Sequence, residues 1–121
     1  MSINFKHIDH FTISIPPASS EQAKEFYLNT LGLKPIETPE ALRVRGFFWF
    51  EIAGIELHIG TEEGFHPSNR HPAFVVENLE QIRASLLAKG VRIKETVKLP
   101  GRERFFVYDP FGNRMELIEY T

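Results

Sequence analysis

Four side chains of metal-binding type recur in this chain at matched intervals. Glu56 follows His10 by 46 positions, and Glu116 follows His71 by 45. Glu116 stands in "GNRMELIEY", where Met115 and Leu117 share one face of a strand and Glu116 and Ile118 share the other. Burying a carboxylate in an apolar strand is costly unless it is paired or bound to a metal. Glu56 raises the same question inside "GIELHIG". Two neutral imidazoles and two carboxylates aimed at one point make an oxygen and nitrogen donor set. With coordination positions left open, such a set suits Fe(II), Mn(II), Co(II), Ni(II) or Zn(II). The competing reading pairs Glu116 with Arg114 or a neighbouring arginine.

The elements that would position these groups fall into two similar halves. "IDHFTISI" alternates: Asp9, Phe11, Ile13 and Ile15 lie on one face, and His10, Thr12 and Ser14 on the other. Pro16-Pro17 ends this strand. "SSEQAKEFYLNTLGL" reads as a helix, with Ser19 and Gln22 at capping-box spacing and Gly32 as its stop. "LRVRGFFWFEI" and "IELHIG" read as strands joined at Ala53-Gly54. "TEEGFHPSNR" is polar and turn-rich, hence a loop. The order then repeats. "HPAFVV" is a strand. "ENLEQIRASLLAKG" is a helix with Asn78 as N-cap and Gly90 as stop, and "VRIKETV" is another strand. "RERFFVYDPFGNRMELIEY" is a hairpin about Asp109–Gly112. A duplicated β-α-β-β-β unit follows.

Composition narrows the function. The chain has 121 residues, enough for one domain with a core of its own. A net charge of −2 gives no electrostatic case for nucleic acid or an anionic membrane surface. With no cysteine, a thiol nucleophile and a thiolate metal site are excluded. No apolar run approaches the roughly 20 residues that span a bilayer. The start of the chain is too polar for a signal peptide, so a cytoplasmic location is expected. The 11 phenylalanines imply a wide apolar core or an apolar cleft.

On "IDHFTISI", "EFYLNTLGLKP", "IELHI", "HPAFVV" and above all "FFVYDPFGNRMELIE", the chain resembles the vicinal oxygen chelate superfamily, the glyoxalase/bleomycin resistance/extradiol dioxygenase group. The resemblance covers essentially the whole chain. It implies an α+β fold: two βαβββ modules, about 5–60 and about 70–121 of a single domain, curling as a mixed sheet around a metal cleft. It also implies one divalent metal ion (Ni, Zn, Co, Mn or Fe), a small-molecule substrate bound through vicinal oxygens, and a homodimer, in some members with modules exchanged between chains. The order His, Glu, His, Glu is most similar to glyoxalase I. Carried over, His10, Glu56, His71 and Glu116 are the ligands, and Glu116 or Glu56 is the general base.

The chain departs from that enzyme in its length and inter-module loop, and it has no obvious basic cluster for glutathione. His58, two residues after Glu56 on the same strand face, replaces Glu56 as ligand or contacts substrate. Without Glu56, the set His10, His71 and Glu116 matches the two-histidine, one-carboxylate sites of ring-cleaving dioxygenases and fosfomycin-modifying members. Arg102 and Arg104, placed in a loop near the cleft, are candidates for an anionic substrate group or pair with Glu103. Three functions therefore compete: a metal-dependent lyase or isomerase, an Fe(II) dioxygenase, and a drug-binding module without chemistry.

Overall fold

Alternation in the first segment produces strand β1, His10–Ile15. Its even-numbered side chains stay open, while Ile13 and Ile15 are buried. The structure, a computed structural model, describes residues 1–121. Helix α1, Ser20–Lys24, runs on into a π-helical stretch, Glu25–Thr30, and Gly32 ends it at φ +73°. Strand β2 (Lys34–Ile36), helix α2 (Glu40–Arg43), strand β3 (Phe48–Ile52) and strand β4 (Ile55–Thr61) complete the first half. The second half comprises β5 (Ala73–Val75), α3 (Leu79–Ala88), β6 (Ile93–Glu95), β7 (Arg102–Tyr108) and β8 (Arg114–Tyr120).

Each half forms its own four-stranded mixed sheet, in the orders β1-β4-β3-β2 and β5-β8-β7-β6. The first strand of each pairs in parallel with the last, and the remaining pairs are antiparallel. The architecture is thus α+β, built from two βαβββ units whose sheets stay open. No helix is long and apolar enough to cross a membrane.

Several local devices differ from what the sequence predicts. The expected strand from Leu42 onward starts only at Phe48, because Glu40–Arg43 closes a helical turn first. Ser19 does not cap α1; its hydroxyl donates to the Pro16 carbonyl at 2.6 Å. Asn78 adopts φ +60° and makes no side-chain cap, and the Glu119 carboxylate accepts the Asn78 and Leu79 N–H groups at 2.9 and 3.0 Å. An acid there suits the positive end of a helix. The Ala53-Gly54 turn is as expected. Both residues have positive φ, which matches the twist of a two-residue hairpin.

One hydrophobic core serves both halves. Ile13, Ile15, Phe50, Leu57 and Ile59 from the first sheet join Phe105, Val107, Met115 and Leu117 from the second in one buried cluster. A side chain such as Leu57 or Phe105, at 0% exposure, contributes roughly 1.5–3 kcal/mol by burial. Polar ties fasten the halves. The buried Tyr27 hydroxyl donates to Asp109 Oδ2 at 2.7 Å, and the Asn113 amide donates to the Ser14 carbonyl at 2.8 Å. Burial raises the Asp109 carboxyl above its ordinary value of 3.8 against the pull of its hydrogen bonds. Burial, and then the charge of Asp109, raise Tyr27 well above the usual phenol range.

Candidate functional site

Since the core takes the odd-numbered residues of β1 and β4, the even-numbered ones line the opposite face. Register places His10 beside Glu56, Thr12 beside His58, and Trp49 on β3 across from His58. The rings stack. Trp49 and His58 centroids lie 3.8 Å apart at 6°, and His10 and His58 centroids 4.0 Å apart at 19°. Two near-parallel neighbours that close must lie on opposite faces of His58, so its imidazole is sandwiched. Phe48 and Phe50 point the other way, into the core.

The hydrogen bonds of this group fix the ring nitrogens. His58 Nε2 lies 2.9 Å from Glu56 Oε1. An ionised carboxylate only accepts, so that nitrogen carries the proton and is not available as a ligand. His10 Nδ1 lies 2.7 Å from Asp9 Oδ2. By the same logic Nδ1 is the donor, which leaves Nε2 as the nitrogen that a metal ion could use. The hydrogen bond from His10 holds the Asp9 carboxyl below its ordinary 3.8.

The second sheet carries a separate group. Glu116 is 7% exposed on the face away from the core. Its Oε2 accepts from Arg104 Nη1 at 3.1 Å, and its Oε1 lies 3.3 Å from His71 Nε2. Arg104 also donates to the Val97 carbonyl at 2.7 Å. His71 Nδ1 sits 2.9 Å from the Asn69 carbonyl, which only accepts, so Nδ1 holds the ring proton. A ring carrying only that proton turns its Nε2 lone pair toward a carboxylate oxygen. Two acceptors facing each other need a cation between them, either a proton or a metal ion.

These placements revise several expectations. Arg102 and Arg104 lie within strand β7, not in a loop. Glu116 pairs with Arg104, the neighbouring arginine that the competing reading allowed beside Arg114, so its charge has a partner inside the chain. Arg114 instead lies over the Phe106 ring at 4.1 Å and donates to the Asn69 carbonyl at 3.0 Å. Arg102 rests over Tyr120, 5.1 Å from its ring centroid. Glu103 pairs with Lys98, not with either arginine.

The matched intervals predict equivalent positions for His10 and His71, and the pairing contradicts this. His10 lies opposite Glu56, whereas Ala73 lies opposite Glu116, so His71 precedes the equivalent position by two residues. Within one chain the four groups do not meet, and no three His, Asp or Glu side chains gather as a metal set. Asp9 and Asn69, which orient the two histidines, were not singled out as site residues by the sequence. Asp9 has adjacency as a signal; Asn69 has none.

The donor set nonetheless suits a divalent metal ion. Ligating histidines characteristically donate their other ring N–H to a carboxylate or a backbone carbonyl. His10 on Asp9 and His71 on Asn69 both show that pattern.

Comparison with known proteins agrees with the fold. The family model described as the Glyoxalase/Bleomycin resistance protein/Dioxygenase superfamily matches residues 7–117. A glyoxalase family protein from Bacillus anthracis is 38% identical, with all of both chains covered and a TM-score of 0.91. The fosfomycin resistance protein FosX from Listeria monocytogenes is 20% identical over 98% of this chain and 96% of its own, with a TM-score of 0.78. TnmS3, an antibiotic binding protein from a Streptomyces species, is 21% identical over 99% and 100%, with a TM-score of 0.73. At those identities the last two show shared fold alone. The search of curated proteins gives no match.

Proposed function

Because the chain belongs to the glyoxalase/bleomycin resistance protein/dioxygenase superfamily, we propose that it is a metal-dependent enzyme of lyase or isomerase type acting on a small oxygenated substrate. On this reading it works as a homodimer. His10 of one protomer joins His71 and Glu116 of the other, because one chain keeps these groups on separate sheets. The observation that carries the reading is the approach of His71 Nε2 to Glu116 Oε1 at 3.3 Å, with Nδ1 already committed to Asn69. Two acceptors set that close are joined by a shared proton or a shared metal ion, and the nitrogen and oxygen donor set suits the ion.

A divalent ion held there supplies Lewis-acid polarisation of substrate oxygens, which acidifies an adjacent C–H. The chain's own residues divide the remaining work. Arg104 keeps Glu116 Oε2 and so fixes the orientation of the carboxylate. Glu56 carries no arginine, and its side chain is 42% exposed, so it is the acid placed to take a proton from substrate. His58, clamped by Trp49 and His10, holds Glu56 through Nε2–H. General-base action from such a position accelerates proton abstraction about 10²–10⁴-fold.

The test is metal content and metal affinity in protein purified without chelator. His10→Ala, His71→Ala and Glu116→Gln should each lose bound metal. Mixing His10→Ala protomers with His71→Ala protomers should restore about a quarter of the sites, since half the dimers are mixed and each has one intact site. Absence of metal, and of any stabilisation by metal, would overturn the reading. A second reading, ligand sequestration without chemistry, is favoured by the Arg104–Glu116 pair, which already compensates the buried charge. It requires that ligand binding survive His71→Ala.

A further inference from the structure

Beside His71 lies a cavity of about 490 Å³ that the roles above leave unused. Its walls come from the open side of β1, the loop after β4 and the start of β8. Thr12 and Ser14 supply hydroxyls, and Arg70 and Arg114 supply guanidinium groups. Glu62 is its only acid. Two guanidinium charges against one carboxylate make a positive recess.

Arg83 and Arg104 are committed to carboxylates, whereas neither Arg70 nor Arg114 is in an ion pair. Arg114 is held in place: its plane rests over Phe106, one Nη2–H goes to the Asn69 carbonyl, and its Nε is buried with no partner. A guanidinium whose stem is fixed loses less freedom when it grips an oxyanion with two parallel N–H groups. The Asn69 carbonyl that receives Arg114 also receives His71 Nδ1–H. One backbone oxygen therefore ties the positive recess to the imidazole on which the proposed reaction depends.

We infer that this recess binds a terminal oxyanion of the substrate, through Arg70 and Arg114, so that the substrates are small acids. The inference rests on the reading above only for what happens at the other end of the molecule, near His71 and Glu116. It replaces Arg102 and Arg104 as anion contacts, since Arg104 is paired with Glu116 and Arg102 lies outside the recess.

Calorimetric titration of the full chain with inorganic phosphate, methylphosphonate and lactate, in the presence of chelator, tests it. Saturable binding of at least one probe is expected. Arg70→Ala, an exposed residue with no side-chain partner, should weaken it about tenfold, which corresponds to about 1.4 kcal/mol. Arg114→Lys keeps the charge and loses the fork, and should weaken it by at least as much. Lys94→Ala, on the surface of β6, should leave it unchanged. Preference for phosphate and methylphosphonate assigns a tetrahedral oxyanion, and preference for lactate a carboxylate; both support the site. No saturable binding, or binding indifferent to both arginine substitutions, overturns it. Metal affinity measured on the same variants separates the two ideas. Arg70→Ala should keep metal while losing anion, and a chain that binds anion but no metal would refute the metal reading alone.

Discussion

Replacing Arg104 by methionine would leave Glu116 on its strand without its cation. The two side chains retain only 14% and 10% of their exposure, so water can screen little of the damage. Removing one partner of a buried pair costs about 3–5 kcal/mol, because the remaining charge is stranded. The small residual exposure places this pair at the lower end, about 3 kcal/mol, and the lost bond to the Val97 carbonyl adds about 1 kcal/mol. The double variant Arg104→Met/Glu116→Gln strands no charge and should recover more than half of the loss. Urea unfolding followed by far-ultraviolet circular dichroism, in chelator and at one fixed protein concentration, measures both. A loss below about 1 kcal/mol for Arg104→Met, or no recovery in the double variant, would refute the assignment of Arg104 as the partner of Glu116.

Tyr27→Phe removes the hydroxyl that joins the halves at Asp109 and should cost about 1–2 kcal/mol in the same unfolding assay. The Asp109 carboxyl is raised above 3.8 in the folded chain, so the folded state holds that proton more tightly than the unfolded state does. The stability this contributes is fully present below the unfolded value and is lost as pH rises through the folded one. Asp109→Asn should therefore flatten the fall in stability just above about pH 4, as read from urea midpoints against pH. Glu119→Ala removes the acceptor for two N–H groups at the start of α3 and should cost about 1 kcal/mol, checked by thermal unfolding.

Much of the architecture was legible because strand faces follow a period of two. His10, Glu56, His58 and Glu116 all lie on the side that alternation assigns them, opposite the apolar residues. The same period hid a displacement. Moving His71 two residues along its strand preserves its face, so equal spacing from Glu to His could not reveal that Ala73, not His71, is the counterpart of His10. The two-residue turn at Ala53-Gly54 and the glycine helix stops were readable from local chemistry. The cap from Glu119 was not, since 41 positions separate it from Asn78. Strand β2 has only three residues, including a proline, and falls below what a pattern can resolve. Arg104 stood out as a cation, but its partner lies diagonally across a hairpin, which sequence order does not display.

Trp49 is the only tryptophan in the chain, and its indole is pressed against His58. Its emission therefore issues from one corner of the open face and from nowhere else. Any molecule that turns the His58 ring, or slides in beside it, will alter that light without a label being attached. The protein thus carries a built-in optical gauge for screening candidate ligands.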